Sequence, residues 1–240
     1  MTFDRTFGAG LSRRNFLVGG AAAATLALPG CASFDYAGRG PGSAQPQVDS
    51  SLAYYREMYA SRVDEGYVLP EIPVDKLDPR NLRQVVADPT GERPGTVVVD
   101  TANHFLYFVL EGGQALRYGV GLGREGFAWS GRAVIQWKRK WPTWTPPTEM
   151  IGRQPELEKY SAANGGMQPG LENPLGARAL YIFQNNEDTL YRVHGSPEWW
   201  TIGKSVSSGC VRMINQDVMD LYDRVPNKTP IVVTSGLTVS

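Results

Sequence analysis

The 240-residue sequence has little cysteine and little histidine, with two residues of each. So few cysteines exclude a disulfide-rich scaffold, and a thiol without a partner would need another role in an oxidising compartment. An excess of charge of one sign is also absent, because 24 basic residues balance 24 acidic ones. This balance gives no indication of a nucleic-acid partner. The sequence shows no phosphate-binding loop and no cluster of metal ligands, so we expect neither a cofactor nor a metal.

Residues 1–31 have the composition of an export signal. The sequence SRRNFL at 12–17 is a twin-arginine pattern, and a short apolar stretch rich in alanine and glycine overlaps and follows it. That stretch is too short for a good membrane span. The sequence LPGC at 28–31 resembles a lipobox, which makes Cys31 a candidate lipid attachment site. Cleavage elsewhere, with Cys31 lost or unmodified, is the alternative. Either way we expect export by the twin-arginine route to the periplasm or cell envelope.

Composition divides the rest of the chain into two parts. Residues 32–94 begin with glycine, proline, serine and glutamine and later carry scattered prolines. We expect a flexible tether there, followed by an N-terminal extension with one short helix. From residue 95, short apolar runs separated by glycine turns predict strands. Residues 95–236 are therefore predicted to form one mainly β domain, a β-sandwich or barrel with a few short helices and a long cleft loop at 139–177.

Cys210 and His194 lie sixteen positions apart and have the chemistry of a nucleophile and its base. A free thiol is mostly protonated at neutral pH, and an imidazole within hydrogen-bond reach can accept its proton. Gly209 permits a tight turn, so the N–H groups of Gly209 and Cys210 are candidates for an oxyanion site. The alternatives are a structural histidine and a cysteine that serves as a small buried apolar residue.

The residues around this pair match the signature of a known family. The sequences HGS at 194–196 and SSGCVRM at 207–213 resemble the YkuD-type L,D-transpeptidase catalytic domain. The family signature is His-Gly-Ser/Thr, then a loop, then Ser/Thr-His-Gly-Cys followed by a hydrophobic residue and arginine. The resemblance extends over roughly residues 95–235. Ser208 replaces the second histidine of the signature, which leaves the role of that imidazole open.

The resemblance implies a transferase that acts on the peptide stems of peptidoglycan. Cys210 would be acylated by a tetrapeptide stem with loss of the terminal D-alanine, and His194 would act as general base and acid. An amine of another stem or of a lipoprotein would then accept the acyl group. Arg212 points to the same side as Cys210 in an extended segment, so it is a candidate for binding a stem carboxylate, with a structural ion pair as the alternative. Further candidates for substrate contacts are Ser207, Ser208, Gly195 and Trp144.

Two other functions remain open on the sequence. If water accepts the acyl group, the protein is an L,D-carboxypeptidase or a hydrolase. If the thiol is inert, the domain is a non-catalytic module that binds the cell wall. Papain-type peptidases are disfavoured, because their nucleophile precedes the histidine in sequence whereas Cys210 follows His194.

Overall fold

The chain forms a large curved sheet with a few helices packed on it. The computed structural model describes residues 52–123, 130–207 and 209–237, and for Ser207 it describes the backbone alone. The predicted signal, Cys31 and the first part of the predicted tether lie outside the described residues, as does Ser208.

The described ranges contain thirteen strands and three α-helices. The strands are β1 (Arg62–Asp64), β2 (Tyr67–Leu69), β3 (Gln84–Ala87), β4 (Val97–Asp100), β5 (Phe105–Val109), β6 (Gln114–Gly119), β7 (Leu122–Gly123), β8 (Gly131–Lys140), β9 (Arg178–Gln184), β10 (Glu187–Ser196), β11 (Ser205–Ser207), β12 (Val211–Ile214) and β13 (Thr229–Thr234). The α-helices are α1 (Leu52–Met58), α2 (Thr148–Arg153) and α3 (Asn215–Arg224). Short 3-10 helices lie at Val74–Lys76, Pro79–Asn81, Pro155–Tyr160, Ala162–Asn164 and Trp199–Thr201.

Nine strands form one mixed sheet in the order β12-β10-β9-β8-β13-β4-β5-β6-β3. The strand β13 lies in the middle of this sheet, antiparallel to β8 and parallel to β4. The edge strand β12 also meets the chain that leaves β6, because Gly121 and Arg212 exchange backbone hydrogen bonds of 2.9 and 2.8 Å. The sheet therefore curls towards closure. This mainly β architecture with few helices confirms the predicted fold class.

The helix α3 closes the core on one side of the sheet. Val218, Leu221 and Val225 are fully buried and pack in the same apolar cluster as the inward residues of the strands. The spacing of Val218, Leu221, Tyr222 and Val225 in the sequence predicts a helix with one apolar face. The burial of three of them, with Tyr222 packed against the same cluster, confirms this prediction.

The sequence predicts Asn215 as the N-cap of this helix, and that prediction is wrong. The residue before the helix is Ile214, and β12 runs directly into α3 without a capping turn. The side chain of Asn215 is used elsewhere: Oδ1 accepts a hydrogen bond from the Ala177 N–H at 2.9 Å, and Nδ2 donates to the Ser196 carbonyl at 3.2 Å. Asn215 thereby connects the start of α3 to the end of β10 and to the chain entering β9.

Residues before position 95 also contribute to the packed structure. The predicted short helix corresponds to α1, and β3 pairs with β6 to form one edge of the large sheet. Tyr59, just after α1, is fully buried in a cluster that includes Ile202 and Ile214. The domain boundary at residue 95 stays a prediction. Among the described residues, no helix has the length and apolar character needed to cross a membrane.

Candidate active site

Two neighbouring strands position the candidate base and the arginine that follows the candidate nucleophile. The strands β10 and β12 are parallel, with Val193 beside Val211 and His194 beside Arg212. Both valines are fully buried in the core. Because side chains alternate along a strand, His194 and Arg212 lie on the other face of the sheet.

Cys210 directly precedes β12. Continuing the register by one residue places Cys210 beside Arg192, on the same face of the sheet as His194. The candidate nucleophile and the candidate base are therefore diagonal neighbours on adjacent strands. Side chains in this relation are within reach of one another when they are long or when they lean along the strand.

The imidazole of His194 is 5% exposed, and its Nδ1 lies 2.6 Å from the carbonyl oxygen of Gly195. A carbonyl oxygen accepts hydrogen bonds only, so in the neutral ring Nδ1 carries the hydrogen and Nε2 is the acceptor. Burial lowers the pKa of His194 to about 4, and the charges of Arg212 and Arg192 act in the same direction. Hydrogen bonds with the backbones of Gly195 and Pro174 oppose this shift in pKa. His194 is thus neutral at pH 7, as a general base must be.

The thiol of Cys210 lies beside the backbone of β10. Its Sγ is 4.0 Å from the carbonyl oxygen of Leu190, at the outer limit for a weak hydrogen bond donated by S–H. Burial raises the pKa of Cys210, whereas a backbone hydrogen bond from Arg192 and the charges of Arg192 and Arg212 lower it. Burial has the largest effect, so the resting thiol is protonated at neutral pH. Proton transfer must therefore accompany any attack by the sulfur.

Gly209, immediately before Cys210, occupies a conformation that requires glycine. Its φ is +129°, and a Cβ at this position would lie 3.1 Å from Cε1 of Tyr191. Both the backbone angle and the close ring disfavour any side chain here. The oxyanion role of the Gly209 and Cys210 N–H groups stays a prediction.

Arg212 forms an ion pair with Glu198, in which Nη1 and Oε2 are 2.6 Å apart. The carboxylate comes from the loop after β10, and its side chain is 46% exposed. Of the two roles open for Arg212 in the sequence, the structure contains the ion pair. Binding of a substrate carboxylate by Arg212 stays a prediction. It would require the ion pair between Arg212 and Glu198 to break.

The remaining predicted contacts lie in different settings. Gly195 is buried, and a Cβ on it would collide with Oδ1 of Asn215, so this glycine allows α3 to pack closely. Trp144 belongs to the long loop, where it pairs with Met167 in a β-bridge and its ring centroid lies 6.3 Å from that of Tyr160. The backbone of Ser207 pairs with β7, whereas its side chain and all of Ser208 lie outside the described residues.

Sequence reasoning missed Arg192. The spacing of two residues in an extended segment, which selected Arg212 from Cys210, also selects Arg192 from His194. The same reasoning could not find Glu198, because its contact depends on how the loop after β10 folds back. Within the described ranges, no group of three or more His, Cys, Asp or Glu residues could hold a metal ion.

These groups together can support acyl transfer. A thiol and a neutral imidazole lie on one face of the sheet, and two guanidinium groups lie beside them. The imidazole can take up the thiol proton, and the guanidinium charges favour the thiolate over the thiol.

Comparisons with known proteins point to one family. Residues 94–233, more than half of the chain, match the family model described as YkuD, L,D-transpeptidase catalytic domain. Probable L,D-transpeptidase YbiS of Escherichia coli is 31% identical over 144 residues, which are 56% of this chain and 43% of that protein. Probable L,D-transpeptidase ErfK/SrfK of Salmonella typhimurium is 30% identical over 188 residues, or 74% of this chain and 58% of that protein. The chain spans about half the length of these curated relatives.

A solved structure from Brucella melitensis, described as a probable carnitine operon oxidoreductase, is 48% identical with a TM-score of 0.46. The match covers 66% of this chain and 96% of that one. A structural likeness at this TM-score carries no argument about function.

Proposed function

Because the chain belongs to the family of L,D-transpeptidase catalytic domains (YkuD), we propose that it is a peptidoglycan L,D-transpeptidase with Cys210 as nucleophile and His194 as general base and acid. The observation that supports the proposal is the register of β10 and β12. Continued by one residue beyond Val211, it leaves Cys210 and His194 on one face of the sheet. The neutral state of His194 supports its role as a proton acceptor.

In the first half-reaction, the sulfur of Cys210 attacks the carbonyl carbon of the third residue of a tetrapeptide stem. Nε2 of His194 accepts the thiol proton as the carbon–sulfur bond forms. The N–H groups of Gly209 and Cys210 hold the oxyanion. His194 then passes the proton to the nitrogen of the terminal D-alanine as that amide bond breaks. The products are a thioester and free D-alanine.

In the second half-reaction, an amine of another stem or of a lipoprotein attacks the thioester. His194 takes a proton from this amine and returns it to the sulfur as the carbon–sulfur bond breaks. Arg212 releases the carboxylate of Glu198 and binds a carboxylate of the stem instead. If water replaces the amine, the product is a shortened stem, and the protein acts as a carboxypeptidase.

The location of the protein is part of the same proposal. Residues 1–31 direct export by the twin-arginine route, and Cys31 attaches a lipid that anchors the protein to the membrane. Residues 32–94 connect this anchor to the catalytic domain at 95–236. The intact mass of the exported protein shows whether Cys31 carries the lipid, and an unmodified mass would rule out the anchor.

The proposal is tested with a purified disaccharide-tetrapeptide, by measuring released D-alanine and the masses of the products. Wild-type protein is expected to release D-alanine and to form cross-linked dimers, and Cys210→Ala to do neither. His194→Gln should slow release about 10²- to 10⁴-fold, the usual contribution of a general base. His104→Gln is the matched control, because it changes the other histidine of the chain, which pairs with Ser205 at 2.9 Å.

Three results would contradict the proposal in different ways. Unchanged release of D-alanine by Cys210→Ala would remove the nucleophile. Shortened stems without cross-linked dimers would show that the protein is a carboxypeptidase and not a transpeptidase. Retention on isolated cell walls without any turnover would favour the wall-binding module.

A further inference from the structure

A row of side chains crosses the sheet and ends at the candidate nucleophile. Trp137 on β8 lies beside Tyr181 on β9, and Tyr181 lies beside Arg192 on β10. The two rings are stacked, with centroids 3.5 Å apart and planes 12° apart. The guanidinium of Arg192 covers the outer face of Tyr181, 4.4 Å from its centroid. By the register of β10 and β12, Cys210 is the next residue in this row.

A bulge in β10 fixes the other side of Arg192. The pairing of β10 with β9 shifts register between Asp188 and Arg192. Asp188 accepts two hydrogen bonds from the Arg192 guanidinium, at 2.7 and 2.8 Å. This bidentate geometry leaves the guanidinium little freedom to move. Arg192 is therefore held by an aromatic ring on one side and by a carboxylate on the other.

The same carboxylate also positions the backbone that faces the sulfur. Oδ1 of Asp188 accepts a hydrogen bond from the Leu190 N–H at 2.9 Å. Leu190 has a φ of +62°, and its carbonyl oxygen is the one 4.0 Å from Sγ of Cys210. Bulges commonly re-aim groups next to functional sites. This one positions the Leu190 carbonyl that lies near Sγ of Cys210 and the Asp188 carboxylate that holds the Arg192 guanidinium.

We propose that Arg192 is a positioning residue for Cys210: clamped between Tyr181 and Asp188, it keeps a positive charge beside the sulfur and stabilises the thiolate. Asp188 offsets part of that charge and so sets how strongly the thiolate is favoured. The inference rests on the proposed role of Cys210 as nucleophile. A guanidinium does not lose its proton in proteins, so the charge is present at every working pH.

The other charged or titratable groups near the sulfur are Arg212 from β12, with its partner Glu198, and the neutral His194, which is the diagonal neighbour of Cys210 by the strand register. Arg212 adds a second positive charge. Because all of these are unchanged in variants of Arg192 and Asp188, a shift in thiol reactivity reports on the clamp alone.

The test is the rate at which iodoacetamide alkylates Cys210 in the full chain between pH 6 and 11, read by peptide mass spectrometry so that Cys31 is counted separately. Arg192→Met should raise the pKa of the thiol and slow alkylation at pH 7.5 about three- to tenfold, the effect of one partly screened charge. Asp188→Asn keeps an oxygen for the Leu190 N–H and loses the negative charge. It should lower the pKa of the thiol and speed alkylation about two- to fivefold.

Arg139→Met is the matched control. Arg139 lies on β8, two residues after Trp137 and separated from β12 by β9 and β10, with its guanidinium carbon 5.6 Å from the Trp137 centroid. Its removal should leave the alkylation profile unchanged. A purely structural clamp would make Arg192→Met and Asp188→Asn change the profile in the same direction. That result, or unchanged profiles in both, would overturn the inference.

If Arg192→Met does not fold, Arg192→Lys and Asp188→Asn decide the matter. Lysine keeps the charge without the fork, so it should retain most of the wild-type rate. If Arg192→Lys slows alkylation as much as is expected for Arg192→Met, the result would count against a role of the charge. Alkylation needs no substrate, so the inference can fail while D-alanine release stands, and the reverse also holds.

Discussion

At the scale of single residues, burial controls the protonation states of both candidate groups. Burial pushes the pKa of His194 down and that of Cys210 up, so both groups are neutral at rest. A neutral pair differs from the thiolate–imidazolium pair that many cysteine enzymes use. If Cys210 is the nucleophile, as proposed, the imidazole takes up the thiol proton during the attack rather than before it. The charges of Arg192 and Arg212 then favour the negative charge on sulfur.

This difference predicts an unusual acid limb. Since the folded-state pKa of His194 is about 4, below the ordinary value of about 6.5, the neutral base is present above pH 4 and is lost as pH falls through it. We expect kcat/KM for D-alanine release to stay on its plateau from pH 8 to about pH 5 and to fall below that. Arg212→Met removes a charge that lowers this pKa and should move the limb to higher pH. A wild-type limb near pH 6.5 would contradict the prediction.

The sequence alone selects Cys210, His194 and Gly209 as candidates, because their types and spacing form a local pattern. The protonation states could not be predicted, because the burial of His194 depends on how β10 pairs with its neighbouring strands and on the chain at Pro174, whose backbone forms a hydrogen bond with the imidazole. Arg192 follows the same alternation rule as Arg212. Its stacking on Tyr181 depends on the pairing of β9 with β10, which no short sequence pattern specifies.

At the scale of elements, α3 supports the candidate base from behind. Gly195 has no side chain, so Asn215 can approach the end of β10 closely and bond the Ser196 carbonyl. The same amide accepts the buried N–H of Ala177. One side chain thus joins α3, β10 and the chain entering β9, directly next to His194.

Asn215→Ala should therefore destabilise the protein by about 2–4 kcal/mol, because it leaves a buried donor and a buried acceptor without partners. Urea unfolding monitored by tryptophan fluorescence measures the free energy of unfolding. Asn164→Ala serves as the control, since Asn164 is exposed and its loss should cost about 0.5 kcal/mol or less. Equal effects of the two substitutions would show that the Asn215 contacts add nothing.

The misassigned cap has a physical cause. Asparagine before an apolar periodic run is a good cap signal, and the sequence carries it. In the structure β12 continues to Ile214, and the amide of Asn215 bonds two residues from distant parts of the chain. The Asn215 side chain therefore bonds Ala177 and Ser196, which are distant in sequence, instead of capping the first turn of its own helix.

At the scale of the whole molecule, a buried polar network joins the N-terminal segment to α3. The hydroxyl of Tyr59 donates to both oxygens of Asp217 at 2.9 and 3.0 Å, and it accepts a bond from the Arg83 N–H at 2.8 Å. The guanidinium of Arg83 pairs with Asp220 at 2.9 Å. Burial raises the pKa of Asp217 to about 7, although Arg83 and Tyr59 oppose the rise.

This network predicts a pH-dependent stability. Between about pH 4 and pH 7 the folded protein holds a proton on Asp217 that the unfolded chain has released, so this group destabilises the fold as pH rises through that window. Asp217→Asn removes the effect. The free energy of unfolding of the variant, relative to wild type, should therefore increase by about 2 kcal/mol between pH 5 and pH 8.

Urea unfolding at both pH values measures this difference. Asp223→Asn on the exposed side of the same helix is the control and should show no comparable change. A constant difference between Asp217→Asn and wild type would contradict the assignment of the buried proton.

The sequence predicts that strands are present more readily than it predicts their order in the sheet. The strands β4, β5 and β6 follow from local alternation and from the glycine turn at 111–114. A closing strand is also predicted at residues 230–234, but nothing local indicates that it lies between β8 and β4. Pairings over more than a hundred residues depend on the whole set of strands.

The central place of β13 gives the assembly of the protein a definite order in time. Within the ladder, β13 alone connects the half that carries Cys210 and His194 to the half built from β3–β6. During synthesis the thiol leaves the ribosome before this connecting strand does. A chain interrupted between residues 210 and 229 would therefore contain Cys210 and lack the strand that joins the two halves of the ladder.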